Sequence, residues 1–362
     1  MKKIILFPFH PDLRTLIDHK DKLRGFQISG FISFKEDVDL IRSLNQALGL
    51  EEMSYEQLLC DCDAVILLDN YRDYKSDKYY RVIEDAISQE KDIFVTPLAQ
   101  SQLDLENYKG KYQLLECLPN NMESIEKEFN HIPKVRMKLY EINIPVIGVL
   151  GQGKHCDKFE NQLLFKEVLE EEYETIAMTT NSLGALFGCY TMPSFLYEGC
   201  TFEEKVIKFN YYIRKISTQD DPDVLVLGIP EGITPFERHE FHHFSEYPFI
   251  VTSAVSIDMV VLCTYFMRGS AVERTLKTIS EFCCGRFNIP IDAIAISRTV
   301  FEVPIEEYQK IIFEFLDEPF LQKYYPDTKH VDLPMINMFD WDEAKAVIKR
   351  SLIRLKENVN VI

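Results

Sequence analysis

The stretch Pro145-Val-Ile-Gly-Val-Leu-Gly-Gln-Gly-Lys-His-Cys-Asp157 decides the fold of the second half of the chain. Its apolar run, Pro145 to Leu150, predicts a buried strand, and an amphipathic helix is predicted to follow from Lys158 to Tyr173. Glycines open the turn between them. A strand, a glycine turn and a helix in this order form a phosphate-binding loop when the backbone N–H groups point inward and the helix begins at the anion.

The spacing Gly148-x-x-x-x-Gly153-Lys154 is typical of such a loop and predicts that Lys154 reaches the β- and γ-phosphates of a nucleotide. Lys154 and Glu231 are the candidate catalytic residues, and ATP or another nucleotide with Mg²⁺ is the expected cofactor. Glu231 and Asp157 are the candidate Mg²⁺ ligands, because carboxylates suit this ion. The predicted nucleotide-binding residues are Gly148, Gly151, Gly153, Lys154, His155, Cys156 and Asp157.

Of the other interpretations of the loop, NAD binding is rejected and a turn that only allows close packing stays open. His155 stands where a Ser or Thr hydroxyl usually helps to hold Mg²⁺, which weakens a catalytic interpretation. Gly151-x-Gly153 also begins a dinucleotide fingerprint, but its third glycine is replaced by Cys156, and the next strand ends without a carboxylate for the ribose. The turn could also serve only to let the strand and the helix pack closely. Glu231-Gly232, just past another apolar strand, is either a ligand-facing carboxylate or an ordinary turn.

Alternating short apolar runs and polar helical segments predict two α/β domains, a Rossmann-like parallel sheet over residues 1–133 and a P-loop NTPase-like three-layer α/β/α domain over residues 134–362. In the first domain, strands are predicted at Lys3–Phe9, Gln27–Ser33, Ala64–Asp69, Asp92–Pro97 and Gln113–Cys117, and helices at Leu13–Leu23, Asp37–Leu48 and Lys78–Glu90. No glycine fingerprint follows the first strand, and His10 is a lone histidine in the turn there.

The second domain continues in the same style. Strands are predicted at Glu174–Thr180, Asp223–Pro230, Phe249–Ala254, Asp258–Phe266 and Ala293–Phe301, and helices behind Thr201-Phe-Glu-Glu204, at Ala271–Arg286, at Pro304–Tyr325 and at Asp342–Lys356. The segment Thr201-Phe-Glu-Glu204 has the pattern of a capping box.

Composition limits the classes of partner. The formal charge of the 362 residues is −18 and the acidic residues are spread along the chain, which argues against binding to nucleic acid or an anionic membrane surface. No stretch approaches the ~20 apolar residues that cross a bilayer. The short apolar N-terminus has no small-residue cleavage site, so we expect a cytoplasmic protein.

The nine cysteines lack CxxC spacing, which predicts reduced thiols rather than disulfides or a zinc site. The oligomeric state, including a homo-oligomer, stays open.

The segment His239-Glu-Phe-His-His243 matches H-E-x-x-H, the pattern in which two histidines bind Zn²⁺ and the Glu acts as a base. Pro235 and Pro248 enclose it, whereas such a motif needs a long helix. A surface cluster of His239, His242 and His243 is therefore favoured over a zinc metalloprotease.

Several segments along nearly the whole chain resemble one family, the peptide maturation system proteins found beside radical SAM maturases in clostridial clusters for cysteine-rich, ribosomally made peptides. The segments that carry the resemblance are Phe7-Pro8-Phe9, Cys62-Asp63-Ala64-Val65, Gly148 to Gly151 with Cys156 to Phe159, Phe187-Gly188, Pro193-Ser194-Phe195, Gly228 to Phe236 and Ser297-Arg298-Thr299.

The resemblance implies an accessory role in peptide maturation, with the precursor peptide and the radical SAM maturase as partners. More distantly, the layout is similar to proteins that join a Rossmann-like domain to a dethiobiotin-synthetase-like P-loop domain. In that likeness Lys154 matches the P-loop lysine and Glu231-Gly232 a Glu-Gly pair, which implies an ATP-dependent ligase or phosphoryl transferase. His155 departs from the pattern, so hydrolysis does not carry over. A non-catalytic scaffold that binds the precursor peptide or the maturase is the alternative.

Overall fold

The chain divides into two compact units, Met1–Leu118 with Asn181–Thr191 (unit 1) and Pro119–Thr180 with Met192–Ile362 (unit 2). The computed structural model describes residues 1–8, 10, 13–50, 53–69, 75–119, 127–129, 138–234, 245–267, 271–302, 311–316, 320–321, 323, 333–338 and 340–359. The predicted domain boundary at residues 133 and 134 lies outside these residues. The return of residues 181–191 to unit 1 is a feature that the sequence did not indicate.

Unit 1 is built on a parallel sheet of five strands in the order β2-β1-β3-β4-β5. The strands are β1 (Lys2–Phe7), β2 (Phe26–Phe31), β3 (Ala64–Leu67), β4 (Asp92–Val95) and β5 (Gln113–Leu114). Every residue of β3 is buried, as is the second half of β1, because helices cover both faces of a parallel sheet. All five strands lie where the sequence predicts them.

The helices of unit 1 connect these strands. They are α1 (Leu13–Asp18), α2 (Val38–Leu48), α3 (Tyr55–Asp61), α4 (Asp77–Ser88) and α5 (Pro97–Gln102). The start of α3 is fixed by a capping box, in which Ser54 and Gln57 exchange side-chain and backbone hydrogen bonds. The apolar faces of α3 and α4 pack on the sheet through residues such as Leu59 and Val82.

Unit 2 contains a second parallel sheet, in which six of its strands lie in the order β14-β11-β10-β6-β9-β7. These are β6 (Val146–Gly151), β7 (Thr175–Thr179), β9 (Val224–Gly228), β10 (Met259–Thr264), β11 (Ala293–Ile296) and β14 (Met335–Ile336). The short strand β8 (Tyr190–Thr191) belongs to the segment grouped with unit 1. β6 lies at the centre of the order, between β10 and β9, so the loop that follows it opens at the middle of the sheet's carboxyl edge.

The helices of unit 2 are α6 (Lys158–Leu169), α7 (Phe202–Gln219), α8 (Glu246–Ala254), α9 (Ala271–Phe287) and α10 (Trp341–Val359). The capping box predicted at Thr201 is present, since its hydroxyl accepts from the Glu204 N–H and the Glu204 carboxylate accepts from the Thr201 N–H. In the described ranges, no helix combines the length and the apolar character that a bilayer crossing requires.

Two predictions of secondary structure are wrong. The apolar segment Phe249–Ala254 is the end of helix α8 rather than a strand. Its apolar residues pack against the helices α7 and α9, because the segment lies in the helical layer and not in the sheet. The predicted long helix Pro304–Tyr325 contains a strand, β13 (Ile312–Phe315), which pairs antiparallel with β12 (Thr299–Glu302). The predicted strand Ala293–Phe301 is accordingly split into β11 and β12, with Ser297 and Arg298 between them.

Candidate functional site at the end of strand β6

The loop of residues 152–157 joins the end of β6 to the start of α6 and is fixed to both neighbouring strands. Gln152 donates its backbone N–H to the Cys263 carbonyl on β10, at 2.8 Å. On the other side, the Ile233 N–H donates to the Gly151 carbonyl at 3.0 Å, and the Thr234 hydroxyl donates to the Gln152 carbonyl at 3.0 Å. The loop therefore has one defined path across the carboxyl edge of the sheet.

Lys158 is the residue that this path brings to the strand end. It is the first residue of α6, and its ammonium donates to the carbonyls of Ile229, at 3.1 Å, and Glu231, at 2.5 Å, just past the end of β9. Its stem crosses over Gly151, where an added Cβ would lie 2.5 Å from Lys158 Cδ. Gly151 is thus needed for the close approach of the lysine side chain.

The spacing predicts Gly148 and Lys154 as the first glycine and the lysine of a phosphate loop. In the structure, only Lys154 lies in the loop. Gly148 lies inside β6, opposite Leu227 and Val260 of the neighbouring strands. Lys154 lies four positions before the helix with an exposed side chain, and its backbone carbonyl accepts from the Tyr265 hydroxyl at 2.6 Å. The sequence analysis does not include Lys158 among the candidate site residues, although it predicts that the helix begins at this residue.

Three residues around the loop have left-handed backbone conformations without being glycine. They are His155 (φ 54°), Asp157 (φ 55°) and Glu231 (φ 57°). Such conformations cost free energy in residues with a Cβ and persist where surrounding contacts impose them, a situation common at functional sites. All three are candidates from the sequence, and the fold brings them to one edge of the sheet.

Arg298 neutralises two carboxylates at the start of α6. Its guanidinium is paired with Glu160, whose side chain is 3% exposed, and lies 3.6 Å from the Asp157 carboxylate. The same carboxylate accepts the Arg298 backbone N–H at 2.8 Å. The predicted Mg²⁺ ligand Asp157 is therefore directed at Arg298. The role of Arg298 has no local sequence signal, since 138 residues separate it from Glu160.

Cys156 and Cys263 are buried at the base of the loop. The Cys156 thiol donates to the Gly153 carbonyl at 3.0 Å, and burial raises the pKa of both thiols. Since the thiolate is the reactive form of cysteine, these residues are unreactive packing groups in the folded protein.

Glu231 lies beside a tyrosine pair. The rings of Tyr197 and Tyr247 are 5.1 Å apart between centroids. Burial, followed by the negative charges of Glu246 and Glu231, raises the pKa of the Tyr247 hydroxyl. The predicted catalytic carboxylate therefore lies next to neutral aromatic groups.

The hairpin of β12 and β13 contributes aromatic rings next to the loop. The centroid of the His155 ring lies 5.0 Å from that of Phe313 and 5.9 Å from that of Phe315, which is 53% exposed. Tyr265, which bonds to the loop, packs on Phe301 at 4.6 Å. The loop is thus bordered by rings on the side of β10.

The histidine motif at residues 239–243 and Pro235 before it lie outside the described residues. Within the part of the chain that the structure describes, no three His, Cys, Asp or Glu side chains converge as a metal site would require.

Comparisons with known proteins support the fold. No protein-family model matches the chain, and no curated protein matches it significantly. Among solved structures, a DUF1611 family protein from Anabaena variabilis has a TM-score of 0.57 at 10% identity, covering 98% of this chain and 100% of its own. At this identity the likeness shows the fold alone.

Two further structures match weakly. A dehydrogenase from Clostridium difficile has a TM-score of 0.25 at 10% identity, over 47% of this chain and 56% of its own. A pseudomurein peptide ligase type C from Methanothermus fervidus has a TM-score of 0.23 at 11% identity, over 82% and 44%. Neither likeness is close enough to carry an argument. The chain has a two-domain, Rossmann-like α/β fold.

Proposed function

We propose that unit 2 binds the phosphate group of a nucleotide or of another phosphorylated ligand at the loop from Gly151 to Lys158. The observation that carries this proposal is the position of Lys158. Its ammonium lies at the first turn of α6, over Gly151, and is held by two carbonyls at the end of the neighbouring strand. A cation at the start of a helix that follows a central parallel strand suits a phosphate.

In this proposal each part of the loop has a separate task. Lys158 neutralises phosphate charge, and the turn of residues 152–157 supplies backbone N–H groups as donors. Arg298 keeps the carboxylates of Asp157 and Glu160 paired, so that they do not repel the anion. Lys154, with its exposed side chain, lies at the outside of the loop.

The phosphate part of the expected cofactor fits these residues, whereas the magnesium part does not. Of the two carboxylates predicted as ligands, that of Asp157 accepts from Arg298, and Phe159 follows Lys158 where a hydroxyl would assist the ion. We therefore assign no step of the function to a metal.

The resemblance to peptide maturation system proteins supplies the biological setting of the proposal. In this setting the protein assists the maturation of a ribosomally made, cysteine-rich peptide, with the precursor peptide and a radical SAM maturase as partners. If the protein is an enzyme, ATP-dependent ligation or phosphoryl transfer suits a phosphate site beside the carboxylate of Glu231.

A non-catalytic scaffold is the second candidate, and one observation favours it. Phe159, which is 7% exposed, fills the position after Lys158 with a buried aromatic residue instead of a hydroxyl. A loop of this kind can retain a phosphate without promoting its transfer. The scaffold would bind the precursor peptide or the maturase.

The proposal predicts that the two lysines of the loop differ in importance. We expect micromolar ATP or GTP binding by the natural chain, measured by titration calorimetry with and without Mg²⁺. Lys158→Ala should weaken binding at least tenfold, because a charge-assisted bond to phosphate contributes about 1.5–3 kcal/mol. Lys154→Ala is the matched control and should change the affinity less than about threefold.

If Lys154→Ala weakens binding more than Lys158→Ala does, Lys154 rather than Lys158 contacts the phosphate. If the natural chain binds neither nucleotide nor inorganic phosphate, the phosphate proposal is wrong. Co-purification of the precursor peptide with the folded chain in the absence of nucleotide would then favour the scaffold.

A further inference from the structure

In the described part of unit 1, a pair of side chains lies where the strand connections of the sheet diverge. The order β2-β1-β3-β4-β5 sends the chain from β1 to one side, to β2, and from β3 to the other side, to β4. The segments that leave β1 and β3 therefore separate, and in open α/β sheets such a switch point forms a crevice where ligands bind.

His10 and Asp69 meet where these two segments separate. His10 follows β1 and Asp69 follows β3, and His10 Nε2 lies 3.1 Å from Asp69 Oδ2. Their side chains are 12% and 17% exposed, so the pair is shielded but reaches solvent. Main-chain bonding holds the two segments in place, since the Leu68 N–H donates to the Phe7 carbonyl at 2.7 Å.

A buried tyrosine packs next to the His10–Asp69 contact. The ring of Tyr79 fills the space below it, fully buried, and donates its hydroxyl to the Leu68 carbonyl at 3.1 Å. The hydroxyl of Tyr79 thus bonds to the segment that carries Asp69. A carboxylate that fixes one ring nitrogen orients the imidazole for proton exchange with a ligand.

A cation lies at the same edge of the sheet. The Lys78 ammonium is 4.8 Å from the centroid of the Phe34 ring, which follows β2, and Lys78 itself belongs to the first turn of α4, which follows β3. The segments that leave β1, β2 and β3 therefore bring an imidazole, an ammonium and an aromatic ring to one edge of unit 1.

We propose that unit 1 carries a second binding site at this switch point, in which His10, oriented by Asp69, and Lys78 take the phosphate of a small phosphate monoester. A phosphate monoester loses its second proton near pH 6, close to the ordinary range of an imidazole, so the two groups can share a proton. This site does not depend on the loop of unit 2.

The test follows the imidazole of His10 by NMR in the full chain. The Lys158→Ala background removes the phosphate contact proposed in unit 2, and KCl keeps the ionic strength constant. Inorganic phosphate and AMP are titrated separately at pH 6.5. We expect saturable shifts of the His10 ring nitrogens with both probes, at millimolar concentrations.

Two charge-matched variants complete the test. Lys78→Gln should weaken binding about tenfold. Lys111→Gln removes an exposed lysine just before β5, at the opposite, amino edge of the sheet, and should leave the affinity unchanged. Equal dispersion of the backbone amide signals shows that both variants fold.

Three results would overturn the proposal. The first is the absence of a saturable shift at His10, which leaves the pair a structural contact between strand ends. The second is saturation with inorganic phosphate but not with AMP, which shows that the crevice does not admit a monoester. The third is an equal loss of affinity in Lys78→Gln and Lys111→Gln.

Discussion

At the scale of single residues, Arg298 forms the ion pairs with the two carboxylates at the start of α6. It lies between β11 and β12, and its guanidinium is paired with Glu160, which is almost completely buried. A buried carboxylate without a partner is far less stable than one that is paired and hydrogen-bonded. The pair therefore ties the strand that precedes Arg298 to the helix that follows the loop.

Removing the guanidinium should destabilise the fold. We expect Arg298→Met to lower the free energy of unfolding by about 3–5 kcal/mol, because Glu160 stays buried after it loses the guanidinium that pairs with it. Urea unfolding followed by circular dichroism measures the change.

A double variant separates the charge from the packing. Arg298→Met with Glu160→Gln removes the buried pair and leaves only the more exposed Asp157 without the guanidinium. The double variant should recover most of the loss, since buried ion pairs contribute little relative to neutral groups of similar size. If the double variant is as unstable as Arg298→Met, the guanidinium acts through packing rather than through Glu160.

At the scale of elements, the contact between α6 and β9 is fixed by a glycine. A Cβ added to Gly228 would lie 2.5 Å from the Gln162 Cδ of α6, and the Gln162 amide donates to the Met178 carbonyl on β7 at 2.8 Å. The side chain of Gln162 thus lies flat against β9 while it bonds to the next strand. Only glycine leaves room for it at position 228.

Gly228→Ala should force α6 and β9 apart. We expect a loss of about 1–3 kcal/mol in the free energy of unfolding, which is typical of overpacking in a core. Gly199→Ala is the control, because a Cβ there meets no atom within 4 Å. Calorimetric melting of both variants measures the difference, and equal melting temperatures would contradict the packing argument.

The elements also show what local sequence determines. The strands of the first sheet could be predicted, and so could β6, β7, β9, β10 and β11 of the second, because short apolar runs bounded by polar segments have few alternatives once helices alternate with them. Phe249–Ala254 was assigned wrongly since an apolar run of this length suits a buried helix equally well. The pairing of β12 with β13 depends on a partner strand, so the sequence of Ile312–Phe315 alone did not indicate it.

The candidate site could likewise be predicted only in part. Glycines, a lysine and a helix start predicted a phosphate loop near the end of β6, and a loop that joins β6 to α6 lies there. Which lysine reaches the strand end depends on where the helix begins, and the spacing of Gly148 and Lys154 suggested a different register. The approach of Arg298 to Glu160 depends on the order of the strands, which no local pattern contains.

At the scale of the whole molecule, buried thiols in both units link stability to alkaline pH. Burial raises the pKa of Cys62, in unit 1, to about 11 and that of Cys283, in unit 2, to about 12. An unfolded thiol ionises near pH 8.5. The folded chain therefore keeps protons that the unfolded chain loses, so this stabilisation is complete below about pH 8.5 and is lost as the pH rises toward 11–12.

We expect these two thiols to lower the free energy of unfolding by about 2–4 kcal/mol between pH 8.5 and pH 10, since each contributes up to about 1.4 kcal/mol per pH unit. Urea unfolding at several pH values measures the slope. The variant with both Cys62→Ala and Cys283→Ala should show a clearly smaller slope, and an unchanged slope would show that other groups cause the loss.

Because Asn181–Thr191 belongs to unit 1, this unit can be complete only after part of unit 2 has been synthesised. A ribosome releases β6, α6 and β7 before it has synthesised the last eleven residues that unit 1 requires. Domains generally fold as units during synthesis, N-terminal first. Here the N-terminal unit stays incomplete during synthesis until the first part of unit 2 has emerged. A gene split between the two predicted domains would therefore leave the first product without part of itself.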